Sequence, residues 1–208
     1  MIVASPPANP LPANPLSHHF LMMAYNNAWA NYRLLKACTQ LSPQEFVAPR
    51  TSFFPTIRAT LGHILTVDWF YMDALERELR GQAPNLECRS FFENREPFDT
   101  AAEMQREQAL TDNRMIAYCK QQNDSGLNRL VSIESPGRKT RCDTRTRLLA
   151  HIFQHQIHHR GQVHAMLSGT SVAPPQLDDF FCSNDAEHRA DDFAELGWTE
   201  ADVWNPPA

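Results

Sequence analysis

On a helical wheel of about 100° per residue, Leu148, Ile152, His155, His159 and Met166 fall within about 60° of one another. An apolar stripe with two histidines set in it therefore runs along residues 144–167. A second stripe carries one histidine: Thr56, Ala59, Thr60, Val67, Phe70 and Ala74 share the face of His63, and the small residues leave room for a cavity beside it. Proline marks where such stripes stop. The windows 16–42, 56–83, 98–135 and 137–173 hold no proline apart from their edges, and each is long enough for a helix of several turns.

Local signals sharpen the boundaries. Ser17 predicts the cap of a first helix through "HHFLMMAYNNAWANYRLLKAC", and "SPQE" at 42–45 reads as a capping box opening a short helical turn. Ser52 predicts the cap of the next long helix, with Pro55 in its first turn and Gly81 ending it in a left-handed conformation. "TAAE" at 100–103 opens a helix towards Gln122. "LVSIESPGRKTRC" alternates around Pro136-Gly137 and predicts a small hairpin. The last long helix is expected from about Thr144 to Leu167, and "NDAE" at 184–187 caps a short terminal helix. Four long helices with little strand predict an all-α fold, a four-helix bundle of antiparallel or mixed direction with short accessory helices. Five prolines between residues 6 and 15 make residues 1–16 an extended arm, and 17–208 a single bundle domain.

Composition narrows the function classes. A net charge of −5 offers no broad basic surface for nucleic acid, so a small-molecule substrate is the expected partner. No stretch approaches the roughly 18 apolar residues of a membrane span, and the N-terminus lacks the pattern of an export signal. The five cysteines are odd in number, widely spaced and free of any C-x-x-C pair, which fits a reducing, cytoplasmic setting.

The chemistry concentrates in "HIFQHQIHHRGQVH", residues 151–164, which holds five of the nine histidines. The i, i+4 spacing of His155 and His159 sets their Cβ atoms about 5–6 Å apart, close enough for two ring nitrogens to meet one ion at roughly 2.0–2.1 Å. His151 stands about 12 Å along the axis from His159 and His164 falls on the opposite face. Two readings compete: buried histidines satisfied by hydrogen bonds, or ligands of an ion completed by His63 from another helix. Three imidazoles without an acidic ligand suit Zn²⁺, Ni²⁺ or Fe²⁺ with a position left open. "HQIHH" has the histidine spacing of a zinc protease motif, but Gln156 stands where the carboxylate base belongs, so that reading fails. His18, His19 and His188 are expected to face solvent.

The segments "YNNAWANYRLL", "SFFPTIRATLGHILTVDWFYMDAL" and "HIFQHQIHHRGQVHAML" together resemble the DinB/YfiT-like family of bacterial four-helix-bundle proteins, from about Tyr25 to Leu167. The resemblance implies one long crossover connection, a homodimer in many members, and a divalent ion, commonly zinc or nickel, held by His63, His155 and His159. Some relatives are thiol S-transferases or thiol-dependent isomerases, and many have no known activity.

The leading expectation is thus a metal-dependent enzyme that activates a low-molecular-weight thiol of the glutathione type. Asn27, Asn31 and Gln162 are candidates to orient a ligand or substrate, and Arg160 to recognise a carboxylate of the thiol. One alternative is a hydrolase that uses the ion to activate water, for which Asp68, some 140° from His63 around its helix, is a poorly placed base. Another is a non-catalytic, stress- or damage-linked metal-binding protein. Trp29, Trp69 and Phe70 are read as core rather than a stacking box, and "RKTRCDTRTR" as a solvated loop with a helix start.

Overall fold

The computed structural model describes residues 13–134 and 137–204. Four long helices dominate them: α1 (Pro15–Cys38), α3 (Ile57–Leu79), α4 (Ala101–Lys120) and α5 (Arg145–Leu167). A short α2 (Pro43–Val47) follows α1, strands β1 (Leu130–Ile133) and β2 (Arg141–Thr144) pair antiparallel ahead of α5, and α6 (Ala186–Leu196) and α7 (Glu200–Trp204) close the chain. The two capping boxes, Ser42 with Glu45 and Thr100 with Glu103, are both made, and Thr144 caps α5. Gly81 ends α3 at φ 65°, as its missing side chain permits. The hairpin forms as expected, although Pro136 of its turn lies outside the described residues. So do residues 1–12 of the proline-rich arm.

Three caps differ from expectation. α1 starts at Pro15, so Ser17 sits inside the first turn, and the arm does not extend to residue 16. Its free N–H groups are met from afar: the Asp124 carboxylate accepts from Ser17 N at 2.8 Å and Leu16 N at 3.3 Å. A proline at the first helical position needs no hydrogen bond there, and a carboxylate favours the positive end of the helix. α3 starts after Thr56, whose hydroxyl accepts from Ala59 N, rather than after Ser52. Pro55 disfavours helical geometry at Phe54 and thereby keeps residues 52–55 out of the helix. α6 does begin within "NDAE", at Ala186 after the N-cap residue Asp185, but with no side-chain cap bond.

The bundle's directions follow from which helix ends share a core. One apolar cluster joins Leu34, Leu35, Ile57, Leu61, Met104, Val163 and Leu167, that is, the C-terminal halves of α1 and α5 with the N-terminal halves of α3 and α4. The other joins the opposite halves, including Phe20, Met72, Met115 and Ile152. α3 and α4 are therefore parallel neighbours, and parallel neighbours need a connection that travels the length of the bundle. Residues 80–100 are that crossover. It lies so close on α3 that a Cβ at Gly62 would meet the Arg95 carbonyl oxygen at 2.5 Å.

Between the two apolar clusters every long helix contributes polar side chains: Asn27 and Asn31 from α1, Asp68 from α3, Gln108 and Asp112 from α4, Gln156 and Arg160 from α5. All seven are buried and bonded to one another. Asn27 Nδ2 and Asn31 Nδ2 donate to Asp112 at 3.1 and 3.0 Å, and Gln108 Nε2 donates to Asp68 at 2.9 Å and to Asp112 at 3.1 Å. Arg160 donates to Asn31 Oδ1 at 3.0 Å, to Gln156 Oε1 at 3.1 Å and to Asn27, and Gln156 Nε2 donates to Asp68. Burial pushes the Asp68 carboxyl up to about 8 and that of Asp112 up to about 6, and pulls Arg160 down to about 10. At neutral pH the layer then holds one proton on Asp68, one negative charge on Asp112 and one positive charge on Arg160, which sum to zero. Among the described residues Asp68 Oδ1 is buried without a hydrogen-bond partner, whereas Oδ2 accepts from two amides.

Two outcomes are expected. Gly62→Ala forces the crossover backbone off α3 and should cost about 1–3 kcal/mol, read as a fall in thermal midpoint of several degrees. A midpoint equal to wild type would mean that residues 93–97 do not press on α3. In the polar layer, the folded protein keeps protons on Asp68 and Asp112 that the unfolded chain has released, so stability should fall as pH rises from the ordinary carboxylate range through about 8. Asp68→Asn removes the upper part of that titration. Urea unfolding of chelated protein from pH 6 to 9 should slope downward in wild type and flatten in the variant; parallel curves would refute the buried proton.

Candidate metal centre

His63 projects from the middle of α3, and His155 and His159 from adjacent turns of α5, which packs antiparallel against it. The three rings meet at the outer edge of the α3–α5 seam. One ligand nitrogen from each lies within 4.8 Å of the others, and Nε2 of His155 is 2.9 Å from Nε2 of His63. A tetrahedral ion with bonds of roughly 2.0–2.1 Å sets its ligand atoms on the order of 3.3 Å apart, inside the span observed. His159 is buried, and His63 and His155 are half-buried, so the group has one side towards solvent.

The surroundings suit neutral imidazole. Burial, reinforced by the neighbouring rings, pulls His155 down to about 3; burial, His159 and Arg95 pull His63 down to about 4; and burial lowers His159, opposed by its bond to Gln162. All three therefore carry a free nitrogen lone pair at neutral pH. Gln162 Oε1 accepts from His159 Nδ1 at 2.8 Å, which fixes the tautomer with the Nε2 lone pair turned to the other rings. Gln162 is itself steadied by donating to His158 at 3.1 Å. His155 Nδ1 is buried without a hydrogen-bond partner, so this ring's stabilisation has to arrive through Nε2, the atom that faces His63. On the far side Phe54 closes the site, its ring 4.4 Å from that of His63 and 5.7 Å from that of His159. The donor set and its second partners fit a divalent ion.

Other residues singled out in the sequence fall elsewhere. Asn27, Asn31 and Arg160 lie in the polar layer, where Arg160 is 4% exposed and already bonded, so its guanidinium does not face a ligand cavity. Asp68 is turned into the same layer, away from the histidines. His151 is exposed one turn before His155 and meets Tyr71 edge-on, while His164 bonds the Pro175 carbonyl on the other side of α5. His19 and His188 are exposed and His18 half-buried. Trp29 is fully buried in the core, Phe70 is buried with an edge on the cavity beside His63, and Trp69 donates to Thr111 Oγ1. The tail packs against α1, with Asp192 accepting from Trp29 Nε1 at 3.0 Å.

Sequence reasoning missed Gln108, Asp112 and Gln156 as members of a network. Their signal was present: in α4 the apolar series Met104, Met115, Cys119 is broken midway by Gln108 and Asp112, four residues apart on the same face.

A second acidic group with histidine, Asp179, Asp185 and His188, also brings its ligand atoms together, but it is partly exposed and has no buried partners of the kind that orient His159. Among the described residues no helix is long and apolar enough to cross a membrane.

Comparison with known proteins agrees with the geometry. The chain is 25% identical over 152 residues to "Protein DinB" of Bacillus subtilis (strain 168), an alignment that covers 73% of this chain and 86% of that one. The DinB family matches residues 16–190, a span that includes all four long helices and the three clustered histidines, and the chain belongs to that family.

Proposed function

We propose that this protein binds one divalent ion, zinc or nickel in first place and iron in second, through His63, His155 and His159, and uses it to activate a low-molecular-weight thiol for S-transfer. The observation that carries this reading is the convergence of three neutral imidazoles, two half-buried and one buried, with no carboxylate among them. An ion held by three nitrogens keeps a position for an exogenous ligand, and when bound it lowers the pKa of a thiol so that thiolate is present at neutral pH. The chain's own residues do the rest. Gln162 orients His159, Phe54 keeps one side of the rings dry, and the polar layer of Asn27, Asn31 and Arg160 holds α1, α4 and α5 in place behind them. In the transfer the sulfur forms a bond to an electrophilic carbon, the carbon's leaving group departs with its electron pair, and the thiol proton passes to solvent.

Hydrolysis is the second reading, and the structure weakens it: the nearest buried acid on α3, Asp68, is committed to the polar layer and holds its proton at pH 7. The family resemblance also favours a homodimer, and the odd, widely spaced cysteines a cytoplasmic setting; we carry both features as part of the proposal.

Two experiments test it. Protein purified without a histidine-affinity resin should carry about one equivalent of metal, and His63→Ala or His155→Ala should abolish it, while Gln162→Ala should weaken binding by about 10–100-fold. Unchanged metal content in the histidine variants would remove the site. Metal-replete protein should accelerate the displacement of bromide from monobromobimane by small thiols, and chelation should stop it. Turnover of esters without thiol would replace this reading with hydrolysis, and absence of both would leave a binding protein.

A further inference from the structure

A cavity of about 370 Å³ opens beside the rings of His63 and His155, and its charge is not explained by the imidazoles. Arg89 enters it from the crossover, and Arg138, Lys139 and Arg141 enter it from the hairpin turn and β2. No carboxylate lines it, in a chain with 24 acidic residues and a net charge of −5. The same arginine-rich stretch is treated in two ways. Arg145 and Arg147 are paired with Glu78 and Asp143, whereas Arg138, Lys139 and Arg141, like Arg89 of the crossover, are exposed and make no ion pair among the described residues. Arg141 reaches only the Tyr71 hydroxyl, at 3.5 Å.

Four like charges gathered around one hollow repel one another, and a ligand of opposite charge relieves that repulsion. Val67, Phe70 and Ile133 give the same hollow an apolar wall. The combination fits a short carbon skeleton bearing more than one anionic group, and the volume lies at the lower end of the roughly 300–1,000 Å³ typical of small-molecule sites.

We propose that the thiol taken by this site is a small polyanion, with two or more carboxylate or phosphate groups seated on Arg89, Arg138, Lys139 and Arg141 and its sulfur end towards His63 and His155. The assignment of a sulfur end rests on the thiol reading above; the anion seat stands on the cavity alone. The hairpin is then a specificity element, and the arginine-rich stretch, expected to be merely solvated, supplies its contacts.

The test measures anion binding apart from catalysis. Calorimetric titration of the full chain, as purified and after chelation, with succinate, inorganic phosphate and the neutral analogue succinamide should show binding of one or both anions and none of succinamide. Binding of succinate alone assigns carboxylates, and of phosphate alone assigns phosphate groups. The variant R138Q/K139Q/R141Q should weaken the anion by about tenfold or more, the loss of roughly one charge-assisted contact or greater. The variant R80Q/R106Q/K120Q, which changes net charge equally on other surfaces, should leave it unchanged. With monobromobimane, the hairpin variant should raise KM for mercaptosuccinate by a similar factor and leave 2-mercaptoethanol unaffected. Equal binding of succinate and succinamide, or equal weakening by the two triple variants, overturns the proposal. Because chelated protein is titrated, loss of the anion seat in a protein that still alkylates 2-mercaptoethanol sinks this inference alone. Anion binding without metal or turnover sinks the thiol reading and spares the seat.

Discussion

Gln156 of α5 donates to Asp68 of α3 across the seam between two antiparallel helices, and that bond sets how far one helix is slid along the other. Gln156 is the residue next to His155, and Asp68 follows His63 by little more than one turn. A slip of one turn, about 5.4 Å, would carry His63 out of reach of both α5 histidines. Apolar side chains alone tolerate such slips, because one leucine contact resembles the next. A buried amide facing a buried carboxyl does not, since every displaced partner leaves an unsatisfied group worth about 1–3 kcal/mol. The registry role of buried polar groups in helix assemblies is a general one. Here it works one residue away from the candidate ligands.

The layer's composition shows how such a group is made tolerable inside a core. Seven side chains from all four helices are bonded to one another, and burial raises the Asp68 carboxyl to about 8, which favours its neutral form at neutral pH. The crossover of residues 80–100 has a comparable double effect. Parallel α3 and α4 require it, Gly62 lets it lie against α3 beside His63, and it brings Arg89 to the rim of the cavity. Fold topology and site architecture are therefore the same set of contacts viewed from two sides.

How much of this could be read from the chain depends on whether the cause was local. The spacing of His155 and His159, the face of His63, the capping boxes at Ser42 and Thr100 and the left-handed Gly81 are all written within a few residues, and each is found as read. The start of α1 was not, because its cap comes from Asp124, more than a hundred residues away. Arg160 looked like a ligand-reading side chain from its neighbours in sequence, yet it points between helices and is bonded there. Arg138, Lys139 and Arg141 read as a solvated run and are exposed, and nothing in the run says that the hairpin places them along a hollow that His63 and His155 also line. Packing of the hairpin beside α3 brings those residues to the same hollow as the histidines.

The central claim is a shared cation between α3 and α5. Crystals of protein grown with its native metal, measured on both sides of that metal's absorption edge, give the position of the ion without reference to activity. The account predicts a single anomalous peak within roughly 2.0–2.1 Å of one nitrogen each from His63, His155 and His159. A peak on Asp179, Asp185 and His188 instead, or well-ordered rings of residues 63, 155 and 159 with no peak between them, would contradict it.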